Sequence, residues 1–194
     1  HFTSSSIDGA SLHGLVTEIV RRCHVIGLYV KAVTSDMGSS NPAMWRCFGV
    51  SAGRLTPVSS SVQHPAEPAP TESRIHFLAD VPHLIKNLRS AFVKHKKLLL
   101  PTSIVSMNDL PSAVVDIGHV MDVLTFQQDK TLKLAPKLTA SVLEPSHFQK
   151  MNVGLAMNLF SRSVSAALRF LIEREERPVC YKTCMAYRCL QSLV

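Results

Sequence analysis

Two β-type runs that each stop at an aspartate constrain this chain more than any other feature. Leu28 to Ser35 ends at Asp36, and Arg74 to Ala79 ends at Asp80. Asp8-Gly9 opens a helix on which Leu12, Leu15, Val16, Ile19, Val20 and Cys23 recur at helical spacing, and Gly27 closes it. After Asp36 comes the small polar stretch Gly38-Ser39-Ser40. Asn41 then reads as an N-cap with Pro42 at the first helical position, and Gly49 ends a short helix. After Asp80, residues 81–97 read as an amphipathic helix with Leu84, Ile85, Leu88 and Phe92 on one face. Pro82 falls in its first turn, where a missing N–H costs nothing. Strands alternating with helices imply a largely parallel α/β sheet. In such sheets ligands collect outside the carboxyl ends of the strands, and both acids sit at such ends.

Between the two strands, residues 54–74 contain Pro57, Pro65, Pro68 and Pro70 with little apolar content, and read as a mobile loop. From about residue 100 strand signals become scarce. The strongest element runs from Ser146 to Glu173, with Val153, Ala156, Phe160, Val164, Ala167, Leu168 and Leu171 on one stripe and Pro145-Ser146 at its start. The fold class is therefore α/β over residues 1–85, followed by a mostly α-helical domain over residues 86–190. The sequence contains no internal repeat.

An apolar content of 46% is enough for a core and argues against global disorder. No apolar run approaches the roughly 20 residues that span a bilayer. The chain starts with His1 and carries no signal-peptide pattern; it reads as internal to a longer frame or as cut there. Lys and Arg number 21 against 14 Asp and Glu, for a net charge of +7. That balance fits a polyanionic partner such as nucleic acid, although the basic residues form no dense block. The cysteines, Cys23, Cys47, Cys180, Cys184 and Cys189, form no C-x-x-C pair, which argues against a zinc ribbon. Their odd number suggests reduced thiols in an intracellular protein, and the last three read as ordinary helix-face residues. There is no Walker phosphate loop, no dinucleotide fingerprint and no nucleophile elbow.

Carboxylates at strand ends can hold Mg²⁺ through oxygen, and two such ions can clamp the attacking and leaving oxygens of a phosphoryl transfer. Gly38, Ser39 and Ser40 leave room for a phosphate backbone beside Asp36. The residues alone leave a second account open: Asp36 starts a turn and Asp80 caps a helix. Capping also explains the Asp80/His83 spacing without a metal.

Three phrases carry a resemblance: "GLYVKAVTSDMGSSNPAMWRCFGV", "FLADVPHLIKNLRSAF" and "KLAPKLTASVLEPSHFQKMNVGLAMNLFSRSVSAALRFL". They resemble P-element-type DNA transposases, the group that includes THAP-domain transposases, over roughly residues 1–178. The resemblance implies an RNase H-like core interrupted by a helical GTP-binding insertion, with three acids holding Mg²⁺. Asp36 then corresponds to the second acid, as catalytic residue and metal ligand. Asp80 and Lys86 open the insertion and become candidates for contact with GTP, Lys86 through a phosphate, beside the simpler account of a solvated helix lysine.

The same resemblance implies transposon-end DNA as partner and a nuclear location; self-association is a further expectation, and the lack of a long apolar run implies no membrane. The family's first acid precedes "HFTSSSIDGA", its third lies in a phrase this chain lacks, and no zinc-coordinating DNA-binding domain is present. The ending "VCYKTCMAYRCLQSLV" departs from the family pattern, as a frameshift or mis-spliced end would. These departures imply a transposase fragment inactive by itself; the alternative is a decayed or domesticated non-catalytic module that binds DNA or protein.

Overall fold

The computed structural model describes residues 7–51, 59–67, 72–174 and 181–191. Cys180 and parts of the 54–74 segment lie outside them. The chain divides into two compact units, residues 1–84 and 85–194.

In the first unit, helix α1 spans Gly9–Val25. Asp8 caps it by accepting from the N–H groups of Ala10 and Ser11, and Gly27 takes the positive φ of 81° that ends a helix well only for glycine. Strand β1 is Ala32–Ser35 and helix α2 is Ser40–Cys47. The helix starts earlier than the expected Asn41 cap. Ser39 is its N-cap, Pro42 lies inside the first turn, and the Asn41 side chain is used elsewhere.

Strand β2, Ser61–Gln63, arises within the segment expected to be loop. It pairs antiparallel with β3, Arg74–Ala79, while β1 pairs parallel with β3 on the other side. The sheet order is β1-β3-β2, so the sheet is mixed rather than largely parallel. Three residues are too short to show periodicity; β2 forms because β3 would otherwise present an unpaired edge.

One face of this sheet is covered. Ile75 and Phe77 point inward with Val20, Met44, Trp45 and Val50. On the opposite face Leu78 is half exposed. Helix α1 buries less than its pattern suggests, since Leu15 and Ile19 remain exposed. Where α1 meets α2 the backbones approach closely: a Cβ on Gly9 would lie 2.4 Å from the Ala43 Cβ and 2.8 Å from backbone atoms of Ala43 and Met44. Gly9→Ala is therefore expected to destabilise the protein by about 1–3 kcal/mol through overpacking. A chemical denaturation midpoint equal to that of the parent would contradict this.

Helix α3 spans Val81–His95. The expected extension to Lys97 fails at Lys96, whose φ of 65° breaks the helix. In the second unit a two-stranded antiparallel sheet follows, β4 Lys97–Leu99 with β5 Val114–Asp116, flanking the short helix α4 Thr102–Met107. These short strands modify the expectation of few strand signals. Asp116 caps α5, Ile117–Gln127, by accepting from Gly118 N–H.

Helix α6 is Ala140–Leu143, and a 3-10 turn covers Gln149–Met151. The long Ser146–Glu173 element divides into α7 Val153–Leu159 and α8 Arg162–Arg174. Asn152 caps α7, accepting from Leu155 N–H, so the helix begins seven residues later than Pro145-Ser146 suggested. The last helix is α9, Tyr181–Gln191.

The core gathers Ile85 and Phe92 of α3, Val120 and Val123 of α5, Leu159 and Phe160, Leu168 and Leu171 of α8, and Tyr187 of α9. By length and composition alone, residues Val153–Arg174 are apolar enough to cross a membrane. Their apolar stripe is spent in this core, as Ala156, Val164, Ala167 and Leu168 are buried.

Candidate functional site

The acids are brought together by strand register. Ser35 pairs with Ala79 at the carboxyl ends of the parallel strands β1 and β3. Asp36 and Asp80 are the next residues, and Asp80 N–H donates to Ser35 O at 2.8 Å. Asp36 is exposed and makes no ion pair with Lys or Arg among the described residues. Its Oδ1 accepts from Gly38 N–H at 2.8 Å and from the Asn41 amide at 2.7 Å. Its Oδ2 accepts nothing among the described residues. That leaves one oxygen facing solvent on a carboxylate whose orientation is fixed.

These bonds also set its acidity. The Gly38 N–H, then the Asn41 amide, and more weakly the charge of His83 hold Asp36 below the ordinary carboxyl value of 3.8, against a small desolvation effect. A depressed folded-state pKa gives stability that is complete above 3.8 and is lost as pH falls through the folded value. Asn41→Ala is expected to move the Asp36 titration, followed by carboxyl NMR, back toward 3.8. An unchanged titration would refute the assignment.

Asp80 does cap α3: its Oδ2 accepts from His83 N–H at 3.3 Å and lies 3.6 Å from His83 Nε2. Asp36, Asn41, Asp80 and His83 thus form one polar cluster at the strand ends. Mg²⁺ ligation by Asp36 fits the free Oδ2, with water filling most of the octahedral positions. Asp8, by contrast, is committed to capping α1.

The second candidate surface lies on α3 within the second unit. Lys86 is 9% exposed and Arg89 only 1%, so Lys86 is not the solvated helix lysine that its residue type suggests. Leu84, expected on the buried face, is 41% exposed. The buried stripe is rotated to Ile85, Lys86, Arg89 and Phe92. Arg89 Nη2 donates to Lys150 O at 2.7 Å, while Nη1 is buried with no partner among the described residues. Burial pulls the guanidinium pKa below its usual value. A cavity of about 350 Å³ opens here, lined by Arg89, Ser90, Val93, Lys94, Pro145 and Lys150. No periodicity rule singles out Arg89, because its burial depends on residues some 60 positions away.

A family model described as TNP-like, GTP-binding insertion domain matches residues 82–187. The chain belongs to the TNP-like family. A second TNP-like model, the RNase H N-terminal domain, matches residues 1–49. The insertion-domain match extends to residue 187 rather than stopping near 178, and α9 supplies the buried Ala186 and Tyr187 to the core. The family pattern therefore runs into the ending of this TNP-like chain as far as residue 187.

Among curated proteins, the Transposable element P transposase of Drosophila melanogaster is 25% identical over 160 residues, covering 79% of this chain and 18% of that protein. Among solved structures, the Drosophila P element transposase strand transfer complex matches with a TM-score of 0.67 at 22% identity, over 94% of this chain and 37% of that one. At that identity the likeness carries the fold alone.

Proposed function

We propose that this TNP-like chain supplies part of a P-element-type transposase, with transposon DNA as its partner. Residues 1–85 form a partial RNase H-like core in which Asp36 holds catalytic Mg²⁺, and residues 86–190 bind GTP. The observation that carries the nucleotide half is the buried Arg89 guanidinium, incompletely paired and lining a basic cavity inside the segment matched by the GTP-binding insertion model. A buried cation without a counter-charge is costly, and a phosphate would relieve that cost through charge-assisted hydrogen bonds.

Lys86, Ser90 and Lys94 recur every four residues along α3 and so share a face. Lys94 and Lys150 line the cavity with Arg89, and Lys86 extends the same positive stripe. Asp80 keeps α3 capped and thereby positions that stripe. Mg²⁺, when bound, supplies charge neutralisation for phosphoryl transfer; Asp36 fits that task by its fixed, outward-facing carboxylate. Asn41 and Gly38 hold Asp36 in place by occupying its other oxygen.

Titration of the chain with labelled GTP tests the nucleotide reading. Arg89→Met is expected to weaken binding about 10-fold to 100-fold, the range of a lost charge-assisted hydrogen bond, and Lys86→Met by less. Absence of binding at millimolar nucleotide, or equal affinity in Arg89→Met, would retire it.

A further inference from the structure

His24, His64 and Glu67 meet in the first unit and play no part in the cluster at the strand ends. One ligand atom from each lies within 4.8 Å of the other two. His24 sits in the last turn of α1, with its ring edge-on to Tyr29 at 5.1 Å and 5.8 Å from the ring of His64. His64 follows β2 directly and is 1% exposed. Its backbone is held on both sides: its N–H donates to Ser73 O at 3.0 Å, and its carbonyl accepts from Glu67 N–H at 3.2 Å. The turn so formed folds Glu67 back toward the imidazole. Two nitrogens of this group, His24 Nδ1 and His64 Nε2, are buried without a hydrogen-bond partner among the described residues. Buried polar atoms are almost always satisfied, and two orphans within one cluster of metal-ligating side chains share a single explanation.

We propose that His24, His64 and Glu67 form a binding site for a divalent transition-metal ion of the zinc class. Two imidazoles and one carboxylate make a three-ligand set that leaves a fourth, tetrahedral position for water. Imidazole nitrogen selects zinc-like ions over Mg²⁺ and Ca²⁺, which prefer oxygen alone. Ligand atoms about 2.0–2.1 Å from a tetrahedral zinc stand about 3.4 Å apart. The group therefore has to close by no more than about 1.4 Å, within reach of side-chain rotation at the half-buried His24 and Glu67.

The His64 ring already receives Ala66 N–H at Nδ1, a long bond of 3.3 Å, which places the proton of the neutral ring on Nε2. Metal binding at Nε2 moves that proton to Nδ1 and exchanges one weak bond for a coordinate bond. The carboxylate of Glu67 offsets one of the two charges of the ion. An ion held here fastens the end of α1 to the turn after the edge strand β2. Those two elements are more than 35 residues apart in sequence.

The test uses the purified chain after chelator treatment, titrated with Zn²⁺ or Co²⁺ alone. One equivalent is expected to bind and to raise the melting temperature. Co²⁺ is expected to show the visible bands of a nitrogen and oxygen site, with no thiolate charge-transfer band. His24→Gln and Glu67→Gln, both at half-buried positions, are each expected to weaken binding by about tenfold or more, whereas Cys23→Ser leaves it unchanged. His64→Gln should remove the site, and the other two variants decide the matter if that buried change prevents folding. No saturable binding, a thiolate band, or undiminished affinity in both His24→Gln and Glu67→Gln would overturn the proposal.

Discussion

Trp45→Ala is expected to destabilise the first unit by about 3–5 kcal/mol, the range for emptying a buried aromatic site. Trp45 is 6% exposed and packs with Met44 against the covered face of the sheet. Its ring meets Phe77 edge-on at 6.1 Å, an arrangement worth about 0.5–1.5 kcal/mol beyond burial. Its Nε1–H donates to Ser35 Oγ at 3.0 Å, and Ser35 is the last residue of β1, immediately before Asp36. The substitution thus removes volume from the core and a tether from the strand tip together. Typical domains have about 5–15 kcal/mol in total, so a unit this small would be left marginal. Trp45→Phe separates the two effects, as it keeps most of the ring but loses the donor and should cost clearly less. Urea denaturation followed by far-UV circular dichroism is the appropriate readout, since Trp45 is the single tryptophan of the chain. A loss below about 1 kcal/mol would show that the site collapses without a cavity.

What the sequence reveals here follows a physical division between local and distant causes. Asp8 and Gly27 were legible because capping and positive φ are decided within a few residues. The two strand-end acids were legible because β1 and β3 are each followed directly by a carboxylate. Strands β2, β4 and β5 were not, since each has three residues and exists only through its partner. The burial of Lys86 and Arg89 was hidden for a related reason. Both are charged and lie on a helix whose apolar pattern also admits a face containing Leu84, so the actual rotation of α3 depends on what packs against it.

The break between α7 and α8 falls at Phe160-Ser161, where Ser161 N–H donates to the Asn158 carbonyl at 3.4 Å. The apolar stripe continues across this break, and periodicity alone cannot see it. The His24, His64 and Glu67 group lay beyond sequence reasoning as well. Its one local trace is the His-x-x-Glu spacing at residues 64–67 in a proline-rich segment, and His24 joins it only through the packing of α1.

Phe92→Ala is expected to cost the second unit about 3–5 kcal/mol. Phe92 is fully buried on α3. Its ring stacks with Phe160 at 6.4 Å and 20°, and Phe160 stacks in turn with Tyr187 at 6.2 Å and 30°. Three helical segments distant in sequence are therefore joined through one row of rings. Phe160 occupies the C-cap of α7, where no helical ladder continues, so ring packing carries the geometry of that break. Tyr187 is held further by its hydroxyl, which donates to Leu159 O.

Removing Phe92 takes away one end of the row and leaves a cavity whose walls belong to separate helices, limiting collapse. Phe92→Leu keeps most of the volume and should cost about 1.5 kcal/mol or less. A double-mutant cycle with Phe160→Leu isolates the stacking itself, with an expected coupling of about 0.5–1.5 kcal/mol. Additive losses would mean that Phe92 acts only by filling space. A Phe92→Ala loss under about 1.5 kcal/mol would mean that the ring row does not hold α3 to the rest of its unit.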